Sequence, residues 1–286
     1  MTDHPALQGG NTAVITGAAD GVGLAVARRL AALGMNVVMA DLEGARLDQA
    51  AELTRGEAAG SAVVACATDV ADRAAVLRLK AHAYDKFGRV DLLMNNAGVS
   101  GGAQAHEHPE RWDRVLAINL GGVINGVQAF ARAMIDQGGP AAIVNTGSKQ
   151  GITMPPGDTA YNVTKAAIKA LTEGLQHTLR ETPGCQVTAH LLIPGFTFTG
   201  LTRVRVSTKP PGAWTAEQVA DFMVERMGAG DFYILCPDND TPRALDEARM
   251  AWTAGDIVEN RPPLSRWHPD YKDAFAAFLE NFHSRR

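Results

Sequence analysis

The sequence TAVITGAADGVG, residues 12–23, decides the fold class of this chain. Its first five residues are mostly apolar, which is typical of a strand buried on both faces. Gly17, Gly21 and Gly23 follow, and a segment with helical spacing begins at Val22. Glycines let the backbone turn tightly and approach a phosphate, and the amino end of the next helix attracts anions. The segment predicts a strand, a phosphate-binding turn and a helix, with an ordinary glycine-rich turn as the alternative.

The rest of the chain repeats this alternation of short apolar runs and longer helical segments. The runs cover residues 12–16, 36–41, 62–67, 90–95, 141–146, 186–193 and 232–235. Segments such as 22–33, 45–55 and 73–87 carry apolar residues every three or four positions, which is typical of amphipathic helices. Strands that alternate with helices predict a parallel sheet covered on both faces. We predict one α/β domain over residues 1–260, a doubly wound, three-layer α/β/α structure with about seven strands.

The residues beyond Asn260 are predicted to form a C-terminal extension. Tyr271, Phe275, Phe278 and Phe282 fall on one stripe of a helix expected at residues 269–282, and this stripe needs a packing partner. We therefore expect residues 261–286 to pack on the domain or on a neighbouring subunit. One hypothesis is that the extension covers a substrate pocket and contributes Trp267 or His268 to its wall.

Composition excludes several classes of function. The net charge of −4 gives no general attraction to nucleic acid or to anionic membranes. The three cysteines lack CxxC spacing, so we expect neither a disulfide framework nor a metal centre. His106 and His108 have no third ligand motif, and a solvated loop is the simpler interpretation. No signal peptide and no membrane-spanning run is recognisable, which predicts a soluble, cytoplasmic protein.

Asp41, at the end of the second predicted strand, indicates which dinucleotide the turn would hold. A carboxylate there can accept hydrogen bonds from both hydroxyls of an adenosine ribose, and it would repel a 2′-phosphate. The neighbouring Ala18 and Leu42 bring no positive charge to offset that repulsion, so NAD is favoured over NADP. An Asp that caps the next helix near Glu43 is a compatible alternative. Arg46 is close enough in sequence to leave NADP open.

Further motifs follow in a fixed order after the glycine turn. They are Asp69-Val70, Asn95-Asn96-Ala97-Gly98, Asn119, Ser148, Tyr161 with Lys165, Pro194-Gly195 and Thr199. Taken singly, each of these residues could be structural. In this order and spacing they resemble the short-chain dehydrogenase/reductase family, from about residue 11 to residue 235. The resemblance implies a Rossmann-type sheet and a hydride-transferring oxidoreductase.

The resemblance also implies a catalytic group of four residues. Tyr161 would exchange a proton with the substrate oxygen as general acid or base. A free tyrosine has a pKa of about 10, and the ammonium of Lys165, four residues along the same helix, is expected to lower it. By resemblance, Lys165 also holds the nicotinamide ribose. Ser148 would position the substrate oxygen, and Asn119 would support a proton-relay water.

The remaining residues that the resemblance assigns to the dinucleotide lie along the whole domain. Asp69 and Val70 would contact the adenine, and residues 194–199 would lie near the nicotinamide carboxamide. The full set expected at the cofactor is Gly17, Asp20, Gly21, Val22, Gly23, Asp41, Leu42, Asp69, Val70, Asn96, Ala97, Gly98, Tyr161, Lys165, Pro194, Gly195, Thr197 and Thr199.

We predict an oxidoreductase that transfers a hydride between NAD(H) and a secondary alcohol or ketone. The segments 101–110, 150–158 and 200–214 are expected to line the substrate pocket. Met154, Pro155, Pro156, Leu201 and Trp214 within them favour an apolar or aromatic substrate. Lys149, beside Ser148, suggests an anionic substrate as an alternative.

Other functions stay open on the same fold. They are a non-catalytic dinucleotide-binding regulator and an epimerase or lyase variant. The resemblance further implies a homodimer or homotetramer built through the helices that carry Asn119 and Tyr161.

Overall fold

Seven parallel strands form the central sheet of the computed structural model, which describes residues 4–203 and 208–284. In chain order, the strands of the structure are β1 (Thr12–Thr16), β2 (Asn36–Asp41), β3 (Val63–Ala67), β4 (Leu92–Asn95), β5 (Ala141–Thr146), β6 (Val187–Ile193), β7 (Thr197–Phe198), β8 (Trp214–Thr215) and β9 (Tyr233–Leu235). The seven strands of the central sheet lie in the order β3-β2-β1-β4-β5-β6-β9. The short strands β7 and β8 pair with each other in a separate parallel ribbon that the sequence did not predict. The predicted seven-stranded parallel sheet is confirmed.

Helices cover both faces of the sheet. They are α1 (Gly21–Ala32), α2 (Ala45–Glu57), α3 (Arg73–Phe87), α4 (Pro109–Val115), α5 (Gly122–Asp136), α6 (Gln150–Thr153), α7 (Thr159–Glu181), α8 (Gly200–Arg203), α9 (Ala216–Gly228), α10 (Arg243–Val258) and α11 (Lys272–Ser284). One apolar core joins α1, α2 and α9 to the sheet, and a second joins α3, α5 and α7 to its other face. The predicted three-layer α/β/α arrangement is therefore confirmed.

The strands in the middle of the sheet are continuous apolar runs because helices cover both of their faces. All five residues of β1 and all six of β5 are buried. Leu30 of α1 contributes to one core, whereas Phe130 of α5 and Ile143 of β5 contribute to the other, and each is fully buried. Each fully buried side chain of this size stabilises the fold by about 1.5–3 kcal/mol. The sheet is thus held between two apolar layers.

The strand order places a crevice at the carboxyl edge of the sheet. From β1 the chain builds outward through β2 to β3, and then crosses back so that β4 pairs with the other side of β1. Ligands bind outside the carboxyl ends of the strands at such a switch point, because the connections diverge there. The turns that follow β1 and β4 flank this crevice.

The aromatic stripe of the extension packs on α10 of the same chain. The Trp252 ring centroid lies 5.2 Å from that of Phe275 and 5.1 Å from that of Phe278. Trp252 Nε1 donates a hydrogen bond to Ser265 Oγ at 2.8 Å, and the Arg261 guanidinium lies 3.9 Å from the indole centroid. The C-terminal helix is present as predicted, with α10 as its partner.

Candidate active site

The glycine turn between β1 and α1 leaves no room for side chains. Gly17 has a φ of 66°, and a Cβ at this position would lie 2.7 Å from the Ala97 Cα. A Cβ at Gly23 would lie 2.6 Å from Asn96 Nδ2 and would overlap the Gly17 carbonyl oxygen. Asp20 occupies the N-cap position of α1, but its carboxylate does not cap the helix. The first turn of α1 can therefore direct its N–H groups to an anion.

Asn96 joins the ends of three strands beside this turn. Its backbone N–H donates to Thr16 Oγ1 at 2.9 Å, and its Nδ2 donates to the Thr16 carbonyl at 3.1 Å. Thr146 at the end of β5 donates to Asn96 Oδ1 at 3.3 Å. The side chain that the sequence assigned to the cofactor is thus engaged in holding β1, β4 and β5 together.

Asp41 lies at the end of β2 and faces the glycine turn. Its Oδ2 accepts from Ala19 N at 2.9 Å, and its Oδ1 accepts from Leu42 N at 2.8 Å. The N-cap of α2 is Gly44, without a side-chain cap, so Asp41 does not cap that helix. Leu42 points to solvent and is 64% exposed.

Arg46, the basic residue that left NADP open, forms an ion pair with Asp20 of the glycine turn. Both of these side chains are partly exposed to solvent. The positive charge of Arg46 is therefore paired with a carboxylate of the glycine turn, which Asp41 also contacts through Ala19.

Asp69 and Val70 follow β3, next to β2 in the sheet. Asp69 Oδ1 accepts from Ala71 N at 2.9 Å, and the Val70 carbonyl accepts from Asn125 Nδ2 at 2.9 Å. Val70 is buried against α5, where a Cβ on Gly122 would lie 2.7 Å from Val70 Cγ2. This contact explains why a glycine lies in α5 after Asn119.

Asn119 is buried in a π-helical turn, Leu116–Gly121, between α4 and α5. Its Oδ1 accepts from Val99 N at 2.8 Å, and its Nδ2 donates to the Val99 carbonyl at 2.9 Å. The same Nδ2 lies 3.4 Å from Thr164 Oγ1 on α7. The side chain fixes the segment after β4 against α7, and π-helical turns of this kind are frequent at functional sites.

Tyr161, Ser148 and Lys165 lie together between β5 and α7. Ser148 forms a hydrogen bond with Tyr161. Lys165 is 4% exposed, and its Nζ donates to the Thr146 carbonyl at 2.7 Å. The same Nζ lies 5.5 Å from the centroid of the Tyr161 ring. The structure therefore brings a phenol, a hydroxyl and a buried ammonium to the end of β5.

The pKa of Tyr161 differs from the sequence-based expectation. Burial raises it to about 12, the hydrogen bond with Ser148 opposes this rise, and the charge of Asp158 adds to it. Burial also lowers the pKa of Lys165 to about 8. The prediction that Lys165 lowers the pKa of Tyr161 is wrong, because desolvation of the phenol dominates and the ammonium is directed to the Thr146 carbonyl.

Asp158, which the sequence analysis placed only within a pocket segment, connects α7 to a loop. It caps α7 by accepting from Tyr161 N at 3.2 Å. The same carboxylate accepts from Gly102 N at 2.9 Å and from Gly101 N at 3.2 Å. An aspartate directly before a helical pattern is a recognisable N-cap signal, but its partners in the distant loop are not readable from the sequence.

The segment after β6 lies against the glycine turn. A Cβ at Gly21 would come within 3.0 Å of the Thr199 Cβ. Thr197 Oγ1 donates to the Gly195 carbonyl at 3.3 Å. A cavity of about 240 Å³ lies between the two segments, lined by Asp20, Gly21, Leu24, Ala25, Phe198, Thr199, Thr215, Ala216 and Glu217. The glycine turn and the segment after β6 thus border one cavity.

The residues predicted for the substrate side are more scattered. Met154 is 41% exposed, whereas Trp214 packs edge-to-face on Phe222 at 5.7 Å between centroids. Trp267 contacts Arg266, and His268 contacts Tyr271, so both contacts stay within the extension. Residues 204–207 and the side chain of Leu201, which the sequence placed at the pocket, lie outside the described residues.

No metal site and no membrane span is found in the part of the chain that the structure describes. Over residues 4–203 and 208–284, no three His, Cys, Asp or Glu side chains are grouped so that they could hold a metal ion. No helix in the same ranges combines the length and the apolar character needed to cross a bilayer.

Comparison with known proteins identifies the family. A family model described as short chain dehydrogenase matches residues 11–210. The chain belongs to the short-chain dehydrogenase/reductase family.

Two characterised relatives of this short-chain dehydrogenase/reductase are dehydrogenases. The chain is 34% identical to a 1-deoxy-11-beta-hydroxypentalenate dehydrogenase of Streptomyces exfoliatus, over 89% of this chain and 93% of the relative. It is 32% identical to a 2-(R)-hydroxypropyl-CoM dehydrogenase of Xanthobacter autotrophicus, over 78% of this chain and 93% of the relative. The chain is therefore similar to oxidoreductases over most of its length.

A solved structure of the same family carries a dinucleotide. A short-chain dehydrogenase/reductase from Burkholderia phymatum in complex with NAD superimposes with a TM-score of 0.80 and 34% identity. The match covers 90% of this chain and 97% of that chain. Family membership implies that this short-chain dehydrogenase/reductase binds a nicotinamide dinucleotide.

Gly23→Ala should weaken dinucleotide binding. Its Cβ would overlap the Gly17 carbonyl oxygen, so the turn that faces the phosphates has to open. We expect a dissociation constant for NADH at least about tenfold higher, measured by fluorescence titration, which corresponds to about 1.4 kcal/mol. Gly56→Ala in α2 is the control, because a Cβ at this position would meet no other atom within 4 Å. Equal NADH affinity in both variants would contradict the role of the turn.

The low pKa of Lys165 should appear in the pH dependence of stability. The pKa is about 8 in the fold and 10.5 ordinarily, so the unfolded state binds more protons between these pH values. The contribution of Lys165 to the free energy of unfolding should therefore rise between pH 8 and 10.5, by up to about 3 kcal/mol. The measurement is urea denaturation of wild type and Lys165→Met across this range.

Lys169→Met is the control for this titration, because Lys169 lies on the same helix in an exposed ion pair with Glu173 at 2.7 Å. It should keep the wild-type slope, whereas Lys165→Met should lose the alkaline gain. A wild-type slope in Lys165→Met would show that the buried ammonium does not have the lowered pKa.

Proposed function

We propose that this short-chain dehydrogenase/reductase transfers a hydride between NAD(H) and a secondary alcohol or its ketone. The observation that carries the proposal is the Tyr161 phenol, hydrogen-bonded to Ser148 and close to the buried Lys165. A dinucleotide-binding regulator needs the glycine turn but has no use for this group. The dehydrogenase names of the relatives from Streptomyces exfoliatus and Xanthobacter autotrophicus also support alcohol oxidation.

The residues of the cleft fit a dinucleotide chemically. The first turn of α1 would hold the pyrophosphate, and Asp41 would accept from the hydroxyls of the adenosine ribose. Asp69 and Val70 would border the adenine, and residues 194–199 the nicotinamide. Lys165 would hold the nicotinamide ribose. When bound, the nicotinamide supplies or accepts the hydride.

Tyr161 handles the proton in this proposal. With a pKa of about 12 its phenol is protonated at neutral pH, so it can donate to a ketone oxygen during reduction. In oxidation it must accept the alcohol proton as a phenolate, and the hydrogen bond with Ser148 favours that charged form. Ser148 positions the substrate oxygen and donates to charge that develops there. Asn119 would support a proton-relay water, and its side chain binds Val99 and Thr164, the residue before Lys165.

The charges on the adenosine side favour NAD over NADP. Asp41 would repel a 2′-phosphate, and the charge of Arg46 is partnered by Asp20. The NAD complex of the relative from Burkholderia phymatum is consistent with this preference.

Exposed apolar side chains near the site favour an apolar or aromatic substrate. Phe196, beside the nicotinamide turn, is 43% exposed, and Met154, after α6, is 41% exposed. Lys149 is engaged by two carboxylates and gives no support to the anionic alternative.

We also propose the wider organisation of the molecule. Residues 1–260 form the catalytic domain and residues 261–286 the extension, in a cytoplasmic homodimer or homotetramer. The exposed Val163 on α7 gives an apolar contact for assembly through this helix.

Tyr161→Phe should abolish turnover and keep cofactor binding. Loss of a general acid or base lowers kcat by about 10²–10⁴-fold. The assay is absorbance of reduced nicotinamide with a panel of secondary alcohols and ketones, together with NADH titration. Tyr84→Phe is the control, because the Tyr84 hydroxyl donates to Gln137 Oε1 at 2.9 Å and Gln137 is not among the residues assigned to the site. More than a tenth of wild-type turnover in Tyr161→Phe would contradict the mechanism.

Asp41→Ala should weaken the preference for NAD. The variant loses the acceptor for the ribose hydroxyls and the repulsion of a 2′-phosphate. We expect the ratio of kcat/KM for NAD to that for NADP to fall by about 10–100-fold, since hydrogen bonds to charged groups contribute about 1.5–3 kcal/mol. Asp48→Ala, an exposed site on α2, should keep the ratio. An unchanged ratio in Asp41→Ala would show that other groups select the cofactor.

A further inference from the structure

Lys149 follows Ser148 directly and lies in a buried charge cluster. Its Nζ is 3.1 Å from Asp238 Oδ2 and 2.6 Å from Asp246 Oδ2. The lysine side chain is 14% exposed, and the two carboxylates are 7% and 4% exposed. Buried charges are stable only when they are paired, so the three groups depend on one another.

The cluster also holds the turn proposed to contact the nicotinamide. Asp238 Oδ2 accepts from Phe196 N at 3.3 Å, and Lys149 N donates to the Pro194 carbonyl at 3.3 Å. A Cβ at Gly195 would lie 2.8 Å from Lys149 Nζ. The lysine therefore lies directly over Gly195, and both its backbone and its ion pair restrain residues 194–196.

Through Asp246 the cluster reaches α10. Asp246 lies in the first turn of α10, the helix that packs on the extension through Trp252. Burial raises the pKa of Asp246, and the charge of Lys149 opposes this rise. Lys149 thus favours the charged form of Asp246, and the ion pair links α10 to the loop that carries Ser148.

We propose that Lys149, with Asp238 and Asp246, is a positioning residue that fixes Ser148 and the turn at residues 194–196 relative to each other. The inference rests on the proposed function, since it assigns the alignment of the substrate oxygen and the nicotinamide to this cluster. It also gives α10 and the extension a direct influence on the active site. Lys149 is then not a ligand for an anionic substrate.

The mechanical reason is the number of segments that meet at one ammonium. Lys149 itself belongs to the loop after β5. Its Nζ pairs directly with Asp238 in the turn after β9 and with Asp246 of α10, and Asp238 in turn binds the backbone of the turn after β6. Each segment alone is an irregular loop or a helix end, which tolerates small shifts. Misplacement of reacting groups by about 1 Å can lower the rate about 10²-fold.

The first test is amide hydrogen exchange by mass spectrometry on the full chain with NADH bound. Asp246→Asn keeps the shape and removes one charge, and Arg243→Met is the matched control in an exposed pair on the same helix. We expect exchange at residues 145–153 and 192–198 to be at least about fivefold faster in Asp246→Asn only, with residues 16–23 unchanged. Unchanged exchange in both peptides, or an equal change in the control, would overturn the proposal.

The second test is kinetic, with the alcohol of highest wild-type turnover in the panel described above. Asp246→Asn should lower kcat about tenfold or more and change the KM for NAD less than twofold, because alignment rather than binding is lost. Lys149→Met combined with Asp246→Asn should be no slower than Lys149→Met alone, since the residues act as a unit.

A substrate-binding role for Lys149 gives a different result. Lys149→Met would then raise the KM only for carboxylate-bearing alcohols and leave kcat unchanged, and this outcome overturns the proposal. If no alcohol or ketone is turned over by the wild type, the proposed function fails, whereas the exchange experiment still decides whether the cluster holds these two segments.

Discussion

The close approach of the turn after β1 to the end of β4 is the constraint on which the site depends. Gly17 touches the Ala97 backbone, and Gly23 leaves space for Asn96, which in turn binds Thr16. A side chain at either glycine would separate the two strand ends. Because the crevice of a parallel sheet opens where the strand order reverses, this contact fixes the width of the proposed cofactor cleft.

Burial of the proposed catalytic group, Tyr161 and Lys165, is a second constraint, because it changes the pKa of both residues. The same desolvation that raises the pKa of Tyr161 lowers that of Lys165, because burial disfavours the charged form of each group. A protonated phenol next to an ammonium of lowered pKa is suited to proton donation. The hydrogen bond with Ser148 opposes the rise in the pKa of Tyr161. It thereby makes deprotonation of the phenol, which alcohol oxidation requires, less costly.

The sequence predicted the features that follow from periodicity and from local motifs. Seven strands, two helical layers and the glycine turn could be predicted, because burial on both faces produces continuous apolar runs. The contacts of Asp158 with Gly101 and Gly102, and those of Lys149 with Asp238 and Asp246, could not, because their partners are far apart in the chain. The pKa of Tyr161 was predicted in the wrong direction because helical spacing gives proximity but not desolvation.

The C-terminal part of the chain illustrates how a family fold acquires its own constraints. The aromatic stripe of α11 is satisfied by Trp252, so its packing explains why the extension stays on α10. Packing alone would leave the extension independent of catalysis. Asp246, six residues before Trp252 on the same helix, pairs instead with the residue after Ser148. A buried ion pair is weak evidence for stability, since apolar residues of similar volume often replace one without loss. Its position between α10 and the catalytic loop is therefore better explained by alignment of the site than by stabilisation of the fold.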